Sequence, residues 1–156
     1  MEDHTQSVMV ALRPVDSEGY GVSLPHLTLV YAGEKPELKP TDFNELAKTT
    51  ASISMDTPVV QLFTDGLDVY GEEPNKVEVI KLRISPTLMK MRKRVASWNK
   101  SSWPYNPHVT IGPIGTFRLG MEIPQAMWFD RIMFSWGEEQ LNFWLKPVHQ
   151  SDLRRP

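Results

Sequence analysis

Pro25-His26-Leu27-Thr28-Leu29 recurs 82 residues later as Pro107-His108-Val109-Thr110-Ile111, with Pro, His and Thr identical and two aliphatic positions exchanged for close relatives. At equal residue usage a Pro-His-x-Thr string is expected at roughly one site in 8,000, so two in a 156-residue chain call for a common cause. Both copies sit in runs of β-formers, 26–31 and 108–111, each closed by a glycine (Gly33, Gly112). In an extended strand residues i and i+2 share a face. His26 therefore points with Thr28 and His108 with Thr110, while Leu27, Leu29, Val109 and Ile111 face the core.

Working outward from the repeat, Ser7 to Arg13 reads as a first strand ended by Pro14, with a loop over 14–24 that carries Gly19 and Gly21. Thr41 is expected to cap a helix from about Asp42 to Ala51, in which Phe43, Leu46 and Ala47 fall at helical spacing. Val59–Thr64 and Lys76–Ile84 read as paired strands across a connection rich in Gly, Asp and Glu. Pro86 opens a basic amphipathic helix with Leu88, Met89, Met91, Val95 and Trp98 on its apolar side. Met127–Trp136 and Gln140–Leu145 form a hairpin about Gly137-Glu138-Glu139. The order β-β-α-β-β-α-β-β-β, in two similar halves without a linker, predicts one α+β domain over residues 1–156 with antiparallel sheets. Neither a dinucleotide-binding glycine fingerprint nor a phosphate-binding loop of the GKS/T type is present.

Composition removes several chemistries. The absence of cysteine excludes disulfides, thiolate metal sites and a cysteine nucleophile. With 40% apolar and 23% charged residues the chain is neither disordered nor membrane-spanning, and the acidic start Met1-Glu2-Asp3-His4 does not resemble a secretory signal, so a cytoplasmic location is expected. Charge is segregated: residues 1–80 hold 5 Lys and Arg against 14 Asp and Glu, and residues 81–156 hold 12 against 5. Lys81, Arg83, Lys90, Arg92, Lys93, Arg94 and Lys100 supply much of the basic excess. They form either a solvated helix face paired with the acidic half or a basic wall beside a phosphate site.

Two converging imidazoles suit a reaction in which one proton is taken and another given, because histidine changes charge near neutral pH. Threonine hydroxyls suit the non-bridging oxygens of a phosphate, and together the donors would stabilise a five-coordinate phosphorus without a metal. Competing readings are half-buried strand histidines, a zinc site on His26 and His108, a nucleotide-sequestering protein without turnover, and a partner-binding protein using the basic helix. His4 and His149 fall near the termini and are expected to be solvated.

The paired His-x-Thr motifs, one per half of a small α+β chain, resemble the signature of the 2H phosphoesterase (LigT-like) superfamily, from about Val8 to Leu145. The opening residues 9–14 followed by 26–33 are similar to compact bacteriophage-encoded members. The resemblance implies a bilobal fold of two pseudo-symmetric antiparallel sheets with outer helices and a central cleft. It further implies a metal-independent phosphodiesterase needing no cofactor, with His26 and His108 as acid and base and Thr28 and Thr110 beside them. The implied substrate is a nucleotide or short oligonucleotide carrying a cyclic or 2′-linked phosphodiester, for instance an RNA-end 2′,3′-cyclic phosphate or a cyclic nucleotide immune signal. Neither a membrane nor a stable protein partner is implied. Tyr31, Trp103, Tyr105 and Trp136, with Phe117 and Trp144 behind them, are the aromatic candidates for stacking on a base.

Overall fold

In the computed structural model, which describes residues 6–15, 25–102, 104–116 and 122–147, the elements follow the order expected. Seven strands are formed by Ser7–Pro14 (β1), Leu27–Glu34 (β2), Val60–Tyr70 (β3), Val77–Leu82 (β4), His108–Pro113 (β5), Ala126–Trp136 (β6) and Glu139–Trp144 (β7). Two helices, Pro40–Asp56 (α1) and Pro86–Val95 (α2), connect β2 to β3 and β4 to β5. All seven strands pair antiparallel in the order β1-β2-β5-β4-β3-β6-β7, and β6 also returns to pair with β1. The two halves, β1-β2-β6-β7 and β3-β4-β5, thus share one hydrogen-bonded array. The joins differ in extent. β3 and β6 pair from Val60↔Phe129 to Phe63↔Ala126, whereas β2 and β5 meet at the single pair Leu27↔Val109.

The helices form because their apolar residues recur every three or four positions and find one face of this array. Leu46 and Ile53 of α1 and Leu88, Met91 and Val95 of α2 join Val10, Leu12, Leu27, Leu29, Val109 and Ile132 in one buried cluster. Ser85 caps α2 by accepting the Leu88 amide at 3.1 Å, and Pro86 occupies the first turn, where its missing N–H costs nothing. At α1 the expected cap is corrected. Thr41 lies inside the helix, because Pro40 with its preset φ opens it and Lys39 precedes it without a side-chain bond. The helix also continues past Ala51 to Asp56, since Ile53 extends the buried stripe.

A second difference positions the site. Asp65-Gly66 reads as the start of a connection, yet β3 runs on to Tyr70, with the pairing to β4 shifted between Thr64 and Leu67. Gly66, at φ +87°, takes the left-handed conformation that this irregularity needs. The result is a two-stranded arm whose end returns Tyr70 beside β5. No helix among the described residues is long and apolar enough to cross a membrane.

Leu27 and Val109 are both fully buried at the seam between the halves. Leu27→Ala is expected to lower the unfolding free energy by about 2–5 kcal/mol, the range for truncating a close-packed core leucine. Urea denaturation checks this, and an unchanged midpoint would contradict the seam described here.

Candidate active site

Because β2 and β5 run antiparallel with Leu27 opposite Val109, the two motifs are related by a local twofold between those residues. Continuing the register by one residue each way sets His26 opposite Thr110 and Thr28 opposite His108. Opposed residues share a face, and this is the face away from buried Leu27 and Val109. All four motif side chains are half-buried, as that position requires. In an ideal ladder this places the two histidines as diagonal neighbours, positions about 7–8 Å apart. The structure thus brings Thr28 and His108 to one cavity and turns His26 and Thr110 to the face away from buried Leu27 and Val109.

On the His108 side the face opens into a cavity of about 690 Å³, whose lining includes Thr28, Tyr31, Tyr70, Arg92, Tyr105 and His108. His26 and Thr110 lie outside that lining, across the twofold. His108 Nδ1 is 2.8 Å from the Asn106 backbone oxygen. A carbonyl can only accept, so Nδ1 carries a hydrogen and Nε2 is the atom that exchanges a proton. The edge of one ring meets the face of the other where Tyr70 packs on His108, with centroids 4.7 Å apart at 77°, which holds the imidazole plane. The Thr28 hydroxyl rests on the Met9 sulfur at 3.8 Å, a weak acceptor that a phosphate oxygen would outcompete.

A bulge aims the next side chain. In the β1–β2 register Val10 faces Val30 but Ala11 faces Thr28, leaving Leu29 as an extra residue, so Tyr31 rather than Val30 joins the face of Thr28. The bulge is held from outside: Arg92 Nε donates to the Leu29 carbonyl at 3.2 Å, and the Tyr105 hydroxyl donates to the Thr28 carbonyl at 3.0 Å. The Arg92 guanidinium lies 4.1 Å from the Tyr105 ring centroid. Burial pushes the Tyr105 phenol well above its ordinary range, with the nearby Arg92 charge opposing.

The aromatic candidates separate. Tyr31 lines the cavity, but its hydroxyl donates to Glu34 Oε1 at 2.8 Å, which raises its pKa, with burial adding to the shift. Tyr105 lines it too, yet its hydroxyl is bound to Thr28 and one face is covered by Arg92, so it braces the motif rather than offering a free stacking surface. Trp136 is a correction: it pairs with Val8 on the core face and packs edge-on against Phe43 at 5.3 Å, because side chains alternate and its position carries the wrong parity for the site. Trp103 and Phe117 lie outside the described residues. Sequence reasoning does not reach Tyr70 or Asn106. The Asp-Gly pair hides the extension of β3 that delivers Tyr70, and a backbone carbonyl such as that of Asn106 has no sequence signal.

The basic segment also divides. Arg94 pairs with Asp56 at 3.3 Å and Arg83 with Asp65 at 3.8 Å, while Lys90 and Lys93 are exposed on α2. Two members approach the site: Arg92 as described, and Lys81, which stands opposite His108 in the β4–β5 register. Lys90, Lys93 and Arg94 belong to the outer face of α2 rather than to a wall beside the site.

A family model described as the 2′-5′ RNA ligase superfamily matches residues 2–116. A search of curated proteins by sequence gives no match. Among solved structures, Usb1 of Kluyveromyces marxianus superposes with a TM-score of 0.62 at 11% identity, covering 91% of this chain and 99% of that one. TT0787 of Thermus thermophilus gives 0.58 at 11% identity, covering 92% and 100%. E. coli LigT complexed with 3′-AMP gives 0.52 at 16% identity, covering 91% and 96%. At such identities these are likenesses of fold.

The raised phenols of Tyr31, Tyr70 and Tyr105 stay neutral in the fold at a pH where an unfolded chain ionises. Stability is therefore full below about pH 10, the ordinary tyrosine value, and is lost as pH rises from there through the higher folded values. Tyr105→Phe should reduce that alkaline loss while costing about 1–3 kcal/mol at neutral pH through the Thr28 carbonyl it leaves unpaired. Thermal melts between pH 7 and 11 measure both, and an unaltered alkaline slope would contradict the assignment of Tyr105.

Proposed function

The chain belongs to the 2′-5′ RNA ligase superfamily, a group of 2H phosphoesterases, and on that premise we propose that it cleaves a cyclic or 2′-linked phosphodiester of a nucleotide or short oligonucleotide through His26 and His108. The observation that carries this reading is the antiparallel pairing of the two motifs at Leu27↔Val109, which supports a face carrying two imidazoles and two hydroxyls. With a phosphate between the rings, one histidine takes the proton of the attacking water as its oxygen bonds to phosphorus. The other gives a proton to the ribose oxygen as the P–O bond breaks, and the products are a phosphomonoester and a free hydroxyl. Thr28 and Thr110 donate to the non-bridging oxygens where charge accumulates, as positioned donors do in other phosphoryl and acyl transfers. The His108 tautomer set by Asn106 suits either half of this exchange, since Nε2 alone changes protonation.

The roles require no metal, and none of the side chains invoked is a carboxylate. The substrate is chosen from phosphodiesters with a 2′ linkage or a cyclic ring: 2′,3′-cyclic nucleotides, 2′-5′ oligoadenylates and the cyclic oligonucleotide signals of bacterial immunity. LigT has been solved with 3′-AMP, a nucleotide of the size that the 690 Å³ cavity accepts.

Turnover of that panel, with products identified by mass, is the test. At least one substrate should be hydrolysed at an unchanged rate in EDTA. His26→Ala and His108→Ala should each lower kcat by about 10²–10⁴-fold, the usual contribution of a general acid or base, with the melting temperature preserved. Thr28→Ala and Thr110→Ala should cost less. Activity retained in the double histidine variant, or abolished by chelation, contradicts the mechanism.

A further inference from the structure

The face that carries the motifs continues beyond His26 onto β1, β6 and β7, where it holds a group the proposed reaction does not use. Leu12 opposes Leu27 at the end of the β1–β2 ladder, and the same register carried one residue on would set Arg13 beside His26. On its other side Arg13 opposes Arg131 of β6, and Arg131 opposes Trp144 of β7. Arg13, Arg131 and Trp144 thus form a row across β1, β6 and β7, on the face that Leu12 and Leu27 turn away from.

Arg13 is only 8% exposed, and its Nε is a buried polar atom without a hydrogen-bond partner among the described residues. Burial and the neighbouring Arg131 charge both disfavour its charged form, and the Asp130 carboxylate opposes them. Asp130 is already engaged, accepting from Arg131 Nε at 2.9 Å, while Arg131 Nη2 donates to the Pro14 carbonyl at 3.0 Å. Two guanidinium groups directly opposed on adjacent strands, sharing one carboxylate, repel each other and leave a buried donor unmet. Packing gives no reason to keep such an arrangement. An anion between them would satisfy both, and guanidinium is the group best matched to phosphate oxygens. Beside them the Trp144 indole lies 5.3 Å from the Arg131 guanidinium and is 68% exposed, an open ring face next to a positive site.

We propose that Arg13 and Arg131 form a second phosphate subsite on the His26 side, with Trp144 as the shelf for the adjoining nucleobase, so that the preferred substrate carries a second phosphate beyond the scissile one. This rests on the functional reading above and narrows its substrate class to dinucleotides and longer or cyclic oligonucleotides, at the expense of mononucleoside cyclic phosphates.

The test uses ligands without the cyclic or 2′-linked phosphodiester that the proposed reaction breaks. Calorimetric titration of the full chain compares the dinucleotide ApAp, with two phosphates, against 3′-AMP, with one. The wild type should bind ApAp at least about tenfold more tightly, one tenfold step being about 1.4 kcal/mol. In Arg13→Gln and in Arg131→Gln that advantage should fall below about threefold with 3′-AMP affinity unchanged, since only a lost charge-assisted contact to the second phosphate is being read. Trp144→Ala should reduce ApAp affinity in the same selective way. An advantage retained in both arginine variants overturns the subsite, as does an equal loss for both ligands. Arg13 is buried, so melting temperatures accompany each titration; removing one of two repelling charges should leave Arg13→Gln at least as stable as the wild type. Inorganic pyrophosphate titrated into the His26→Ala/His108→Ala variant separates the two claims. Binding that Arg13→Gln abolishes keeps the subsite even where no phosphodiester is hydrolysed, and no binding overturns it.

Discussion

Leu27 and Val109 face one another across the register pair that joins β2 to β5, and the geometry of the site follows from that contact. Each is apolar and fully buried against the helices, so each fixes the parity of its strand: the residues on either side must turn to the opposite face. Antiparallel pairing then exchanges the partners, His26 with Thr110 and Thr28 with His108, and gives the site its twofold. A slip of one residue in either strand would bury a histidine and expose an aliphatic side chain, a double penalty that holds the register although so little backbone is paired. The weak seam is therefore specified by side chains, while β3 and β6, paired from Val60↔Phe129 to Phe63↔Ala126, form the more extensive join between the halves.

Around that pair the protein uses ordinary groups to hold an irregular strand. The extra residue at Leu29 turns Tyr31 toward the cavity, and its freed geometry is tied by Arg92 to the Leu29 carbonyl and by Tyr105 to the Thr28 carbonyl. Both braces come from the stretch between β4 and β5, so α2 and the loop before His108 position a motif in the other half. Most basic residues of that stretch pair with acidic residues elsewhere or face solvent. Exposed ion pairs of that kind contribute little individually, and the cluster needs no functional account beyond Arg92 and Lys81.

The repeat, the element order and the four motif side chains are legible in the sequence because they depend on period-two alternation and on residue identity. What is not legible depends on backbone detail. The β2 bulge leaves no mark in composition, yet it decides that Tyr31 reaches the site. Gly66 reads as a turn because glycine at positive φ serves turns and bulges alike, and this conceals the extension of β3 that brings Tyr70 to His108. Trp136 is misplaced for lack of a register: two residues from Phe134 in a strand, it has to share that buried side chain's face, and the pairing of Val8 with Trp136 makes the assignment definite. Arg13 and Arg131 are far apart in sequence and become neighbours only through the β1–β6 ladder.

The account stands on His26 and His108 serving one phosphate together. Their imidazole 15N resonances, assigned by single His→Gln variants and followed during titration with a nucleoside 3′-phosphate, test this directly. Both should move along one saturation curve with the same dissociation constant, as two groups on a single ligand must. A His26 signal that stays still while His108 saturates would separate the two motifs and contradict the shared site.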